Sequence, residues 1–313
     1  MRAALIPEPG RPPSVADREP PEPGPGEVLV EVLAAPITPL DVLCASGRSY
    51  FGVPRTPYVP GVQGVGTLDG RTVWFPTPAG MAPGDGSMAA VACVPEADLV
   101  PLPAGVDPVR LAALGLSAVA AHRALLSTGG LTAGETVIVL GAGGVVGQVA
   151  VQLARLAGAA RVVAGARSAA ARERASAAGA DAVVALDTDD VAELAGRFTE
   201  AAGGPAHLVL DPLYGVPAAA AAQALGPGGR LVNLGSSAGE TFPVDSSTLR
   251  SRSLRVLGYT NNALTREERA ESVAHLAGQE LTVAHETVPL ADAGAAWERQ
   301  AAGAAQGRIV LVV

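Results

Sequence analysis

The period of the apolar positions changes twice along this chain. Residues 1–6 and Glu27-Val-Leu-Val-Glu-Val-Leu33 read as strands, the second alternating polar and apolar residue by residue. Pro7 to Gly26, between them, is dense in proline and glycine and reads as a turn region. Within Pro36-Ile-Thr-Pro-Leu-Asp41 the pattern predicts a helix starting at Asp41. Short apolar runs follow at 57–66, 71–75, 86–95 and 99–103, joined by Gly/Pro turns. They predict a compact all-β domain, a barrel or a sandwich. Near Asp107 the character changes: Val109 to Ser127 is one long apolar helical run. Beyond it, strands at 136–140, 161–167, 182–186, 207–211, 229–235 and 253–258 alternate with helices around 170–178, 189–202 and 217–225. That alternation predicts an α/β fold with a doubly wound parallel sheet. The remainder reads as helices around 265–277 and 291–302 and a strand over 307–313.

The chain is organised around one stretch of this second part. The β-branched run Thr136-Val-Ile-Val-Leu140 enters Gly141-Ala-Gly-Gly-Val-Val-Gly147, and the apolar run Gln148 to Ala157 leaves it. Strand, glycine turn and helix in that order bring backbone N–H groups and the positive end of a helix dipole to a phosphate. Gly141, Gly144 and Gly147 are the candidate pyrophosphate contacts, with Gly143 as an extra glycine. The next strand ends in Arg167, with Ser168, Arg172 and Arg174 beyond, where an NAD-specific site carries an acidic residue for the ribose 2′-OH. An arginine fork fits a 2′-phosphate instead, so the cofactor expected is NADPH.

Composition narrows the class. The 313 residues are 49% hydrophobic and 17% charged, which gives enough apolar material for two globular domains. The net charge of −8 and the lack of a basic run argue against a nucleic-acid partner. All 22 basic residues are arginine, so no Schiff-base lysine exists. Two cysteines, Cys44 and Cys93, are too few for a Cys₄ zinc site and are expected to be small buried apolar residues. Met1-Arg-Ala-Ala-Leu-Ile-Pro7 lacks the apolar core of a signal peptide, and the apolar 111–121 run is too short to span a bilayer. The expected home is the cytoplasm, with no membrane partner.

Taken in order, the β-rich start, the Gly141–Gly147 turn, Asp211-Pro-Leu-Tyr-Gly215 and Arg230-Leu-Val-Asn-Leu-Gly235 resemble the medium-chain dehydrogenase/reductase superfamily, and most closely its zinc-free quinone oxidoreductase branch. The resemblance implies a GroES-like β domain over 1–108 and a Rossmann domain over 109–258. It also implies a return of 259–313 to the first domain, with the cofactor in the cleft between domains. The zinc enzymes of the superfamily carry Cys three residues before Asp, where this chain has Thr38 before Asp41. They carry Gly-His-Glu where it reads Gly61-Val-Gln63, so no metal is expected.

The resemblance further implies cofactor contacts at Gly141, Gly144, Val145, Val146, Gly147, Arg167, Ser168 and Arg172. Others fall at Asp211, Pro212, Leu213, Gly235, Ser236, Ser237, Tyr259, Asn261, Arg308 and Ser117. Tyr50, Thr38 and Asp41 are the catalytic candidates; Asp41 also reads as a helix cap and Tyr50 as a packing residue. The expected reaction is hydride transfer from NADPH to a quinone. The alternatives are an enone or enoyl reductase of secondary metabolism and, in another class, an NADPH sensor with little turnover. Arg252 to Gly258 reads as an edge strand able to pair with its copy, which predicts a homodimer.

Overall fold

A computed structural model describes residues 1–313. The chain divides into two compact units, Met1–Gly115 with Thr265–Val313, and Leu116–Leu264. In the first unit, β1 (Arg2–Leu5) pairs antiparallel with β2 (Ser14–Asp17). The stretch read as a turn region therefore contains a strand; its four residues are mostly exposed and carry no apolar alternation to announce it. β3 (Glu27–Ile37) leads to α1 (Pro39–Ala45), then β4 (Gln63–Leu68), β5 (Arg71–Pro76), β6 (Val91–Pro95) and β7 (Val100–Pro101). α1 starts two residues before the predicted Asp41, because Thr38 is its cap and Asp41 closes a capping box.

α2 (Pro108–His122) begins the apolar run, which is not one helix. Gly115 has φ 40° and ψ −141°, and a Cβ there would lie 2.1 Å from the Gln63 side-chain nitrogen. The break sits where the first unit ends, so the boundaries fall at 115/116 and 264/265 rather than at 108/109 and 258/259. Residues 123–128 continue as π-helix. The whole path from 108 to 128 has the length and apolarity of a membrane span, unlike the 111–121 run alone. Of its apolar window, 61% is buried inside the protein.

The second unit continues with β8 (Thr136–Leu140), α3 (Val145–Leu156), β9 (Arg161–Ala166), α4 (Ala169–Ala177), β10 (Ala182–Ala185) and α5 (Val191–Ala202). β11 (Ala206–Asp211), α6 (Gly215–Gln223), β12 (Leu225–Asn233), α7 (Ser246–Ser251) and β13 (Arg255–Gly258) complete it. α7 and the early start of β12 are additions to the predicted elements. The six strands are all parallel in the order β10-β9-β8-β11-β12-β13, the Rossmann arrangement. Residues 137–140 of β8 are all buried, as a central parallel strand covered on both faces requires. Around it pack Val163, Leu194, Phe198, Val209 and Leu231.

The chain then returns through α8 (Arg266–Ala277), β14 (His285–Pro289), α9 (Ala293–Ala301) and β15 (Arg308–Val312). β15 enters the sheet of the first unit between β14 and β3, in the order β14-β15-β3-β4-β5-β7, and β6 pairs with another part of β3. β14, absent from the sequence reading, is exposed at four of its five positions. Ile37, Phe75, Met88, Trp297 and Ile309 fill this unit's core. Cys44 is buried as expected, but Cys93 is half-buried, its Sγ 3.6 Å from a Glu27 carboxylate oxygen.

One ion pair, between buried Arg230 and half-buried Glu135, fastens the amino ends of the parallel strands. Arg230 meets both oxygens of Glu135 at 2.6 Å and donates to the carbonyls of Gly130 and His207 at 2.9 and 3.0 Å. This fork holds the Glu135 carboxyl down at about 2. Its stabilising contribution is complete above the ordinary value of 4.5 and is lost as pH falls from there toward 2. Glu135→Ala strands the buried guanidinium and is expected to cost about 3 kcal/mol. Urea denaturation at pH 7 checks the loss, and denaturation at decreasing pH should show a shallower acid slope in the variant.

Candidate active site

The parallel sheet reverses its winding between β8 and β11, and the glycine turn leaves β8 there. Gly141 has φ 60° and faces Pro212 and Leu213: a Cβ on it would stand 3.0 Å from Pro212 Cγ. Gly147 lies in the first turn of α3 and touches the backbone before it; a Cβ there would be 2.4 Å from Ala142 Cα. Gly144 differs. It is exposed, and its Cβ would meet nothing nearer than the Gly141 oxygen at 3.5 Å. It is also the N-cap of α3, which has no side-chain cap. Gly144, Val145 and Val146 thus present a helix amino end to open space, and these residues fit a pyrophosphate.

The neighbouring loops are shaped by local hydrogen bonds. Buried Asp211 ends β11 and accepts from the Leu213 and Tyr214 amides at 2.9 and 2.8 Å and from Asn233 Nδ2 at 2.9 Å. Burial pushes its carboxyl above the ordinary range. Asp211 therefore builds the turn. Tyr214 sits at φ 61° and stacks on Phe242, ring centres 5.2 Å apart. Gly235 abuts the Pro212 carbonyl, which also accepts from the Ser237 hydroxyl at 3.3 Å; Ser236 bonds Glu240 at 2.9 Å. Tyr259 donates to Asn261 at 2.7 Å, and Asn261 donates to the Leu116 carbonyl at 2.9 Å, one residue before Ser117.

At the end of β9, Arg167 is exposed. Ser168 caps α4 by accepting from the Ala171 amide at 3.2 Å, and Arg172 donates to the Arg167 carbonyl at 2.7 Å. Two further side chains act on the glycine turn. The Gly143 carbonyl accepts from Gln148 Nε2 and from Arg174 Nε, each at 3.0 Å. Sequence reading passes over Gln148 and counts Arg174 only as a nearby charge; a hydrogen bond to one turn carbonyl leaves no periodic signal.

The other candidates lie in the first unit. Asp41 is buried; one carboxylate oxygen accepts from the Thr38 amide at 2.8 Å and its hydroxyl at 2.5 Å, the other from the Val62 amide at 2.9 Å. Burial raises its carboxyl above the ordinary value, and the positive charge of Arg308 acts the other way. Arg308, expected as a cofactor contact, is buried; it donates to the Ile37 carbonyl at 3.0 Å, and burial lowers its guanidinium to about 10. Tyr50 is exposed, its ring 4.3 Å from that of Phe51. Gln63 is buried and accepts from the Trp74 indole at 3.1 Å, so it holds core structure behind Gly115.

A protein-family model described as zinc-binding dehydrogenase matches residues 145–279. The chain aligns with the solved quinone oxidoreductase of Thermus thermophilus, a structure that includes an NADPH complex, at 30% identity over 100% of both chains with a TM-score of 0.85. The chain belongs to the medium-chain dehydrogenase/reductase superfamily, in its quinone oxidoreductase branch. Among curated relatives, a quinone oxidoreductase of Lama guanicoe is 34% identical over 169 residues, 50% of this chain and 49% of that protein. A trans-enoyl reductase of Aspergillus terreus is 42% identical over 62 residues, 20% of this chain and 19% of that protein. The matched stretch thus spans about half the length of the first of these relatives or less. Fold and turn together support a nicotinamide dinucleotide as the cofactor of this family member. The residues present do not fit the zinc named in the family description: no group of three or more His, Cys, Asp and Glu is close enough to hold a metal ion.

The glycines separate packing from binding. Gly144→Ala, at φ −83° and ψ 169°, is expected to leave the melting temperature within about 2 °C yet weaken NADPH binding roughly 10-fold, because the new methyl fills the open face. Gly147→Ala drives a methyl into backbone and is expected to lower the melting temperature as well. Thermal melts paired with fluorescence titration of NADPH check both.

Proposed function

We propose that this chain is a zinc-independent reductase that transfers a hydride from NADPH to a quinone. The observation that carries the reading is the open, uncapped helix end at Gly144, on the edge where the sheet reverses, in a chain similar over its full length to a quinone oxidoreductase solved with NADPH. Arg167 at the end of β9, where an NAD site carries an acid, supports NADPH over NADH. Bound NADPH supplies the hydride; with a proton from water the quinone becomes a hydroquinone. The chain's part is to bind, orient and dry the reactants. A quinone asks for little acid help, which agrees with a Thr38–Asp41 pair already engaged in a capping box. The likeness to a trans-enoyl reductase favours a second reading, reduction of an activated alkene.

Absorbance decay of NADPH with a panel of quinones and α,β-unsaturated ketones, in buffer with chelator, tests this. Quinone turnover unaffected by chelator is expected. Turnover of enones alone would favour the second reading, and cofactor binding without any turnover a sensor. Arg167→Ala should raise the NADPH KM roughly 10-fold and leave the NADH KM in place.

We also propose a homodimer. β13 is an edge strand whose backbone can pair with a copy of itself, and its Val256 is 44% exposed. Light scattering is expected to give the mass of two chains, and Val256→Asp to shift it toward one.

A further inference from the structure

The glycine turn has an internal lock that its spacing does not reveal. Gly141, Gly143 and Gly144 give this segment more backbone freedom than any other three-residue choice would, and a mobile turn must be ordered when an anion binds. Its middle peptide matters most. The Gly144 amide donates to the Gly141 carbonyl at 3.0 Å, which closes the turn, and the Gly143 carbonyl of the same peptide points the other way. Two side chains hold it there: Gln148 Nε2, from buried α3, and Arg174 Nε, from α4, both at 3.0 Å. α4 is close by, since a Cβ on Gly143 would stand 2.4 Å from Ala171 Cβ. Were this peptide to flip, its carbonyl oxygen would bring partial negative charge to the face that Gly144 leaves open.

We propose that Arg174 is a positioning residue for the cofactor, holding the Gly143 carbonyl out of the pyrophosphate site jointly with Gln148, and that its hydrogen bond rather than its charge does so. The proposal rests on the dinucleotide reading of the glycine turn and adds the device that preorganises it. Arg167 precedes α4 and is exposed, and Arg172, within α4, is turned to the Arg167 carbonyl; of the three, Arg174 is the one that donates to the turn.

The side-chain chemistry supplies a clean test. Glutamine places an N–H donor at the same distance along the side chain as arginine Nε, and methionine places a methyl group there; both remove the charge. Arg174→Gln and Arg174→Met therefore differ in the one hydrogen bond. NADPH affinity of the full-length protein is measured by fluorescence titration, with kcat and both KM values in the quinone assay. Arg174→Met is expected to raise the NADPH Kd roughly 10-fold and its KM alike, with kcat at saturating NADPH and the quinone KM retained. Arg174→Gln is expected to restore affinity to within about 3-fold of the parent protein. Gln148→Met should weaken binding too, and the double variant Gln148→Met with Arg174→Met should depart from additivity, because both act on one carbonyl. Equal losses in Arg174→Gln and Arg174→Met would show that the charge matters and would overturn the lock. Unchanged affinity in Arg174→Met would overturn any role for Arg174. If the parent protein binds neither NADPH nor NADH, the cofactor reading itself fails, a result distinct from both.

Discussion

The structure of the second unit turns on a contact between backbones. At Gly147, α3 lies so close to the turn after β8 that no side-chain atom fits between them, with Ala142 Cα only 2.4 Å from where a Cβ would be. That contact sets the line along which the helix leaves the strand. Given the line, the amino end of α3 stands at the edge where the sheet reverses, uncapped and open at Gly144. A helix end that must receive an anion cannot also spend its N–H groups on a capping side chain. α4 and α5, by contrast, are capped by Ser168 and Asp190. α6 likewise has no side-chain cap at Tyr214, so what sets α3 apart is the uncapped end together with the glycine turn and the open face at Gly144.

Much of this was legible in the chain. β8, the glycine turn and α3 announce themselves because a buried parallel strand is a continuous apolar run and the helix behind it has one apolar face. The inner strands β9 and β11 and the apolar end of β12 follow for the same reason. What escaped detection was set by partners distant in sequence. β2 and β14 are exposed strands whose existence depends on β1 and β15. Gly115 looks like one more small residue in an apolar helix; its positive φ and the Gln63 amide folded against it make glycine necessary. Arg308 reads as a cofactor contact, and nothing in the sequence announces that it is buried with its guanidinium on the Ile37 carbonyl. In each case the deciding neighbour is at least nine residues away and has no fixed spacing.

The candidate site shows the same division. The glycines were readable together with their task, since strand, turn and helix announce a phosphate site. The local bonding of Asp211 was not: besides its expected place beside the cofactor, it accepts the two amides that bend the chain after β11. Thr38 and Asp41, read as catalytic candidates with Asp41 also a helix cap, satisfy each other at the start of α1. Burying a carboxylate is costly unless several donors surround it, and three donors do so here. A polar residue near a candidate site can therefore be required by the fold alone.

The return of the chain to its first unit bears on the order in which the protein can be made. β3 begins at residue 27, but its partner β15 spans 308–312 and is flanked by β14 on the other side. On a ribosome the first sheet thus waits, with β3 missing its β15 neighbour, while the whole of the second unit is synthesised. That unit is continuous from 116 to 264 and has every strand it needs once residue 258 has emerged. The unit that holds β3 is therefore completed after the unit inserted within it, and until then β3 lacks one of its sheet partners.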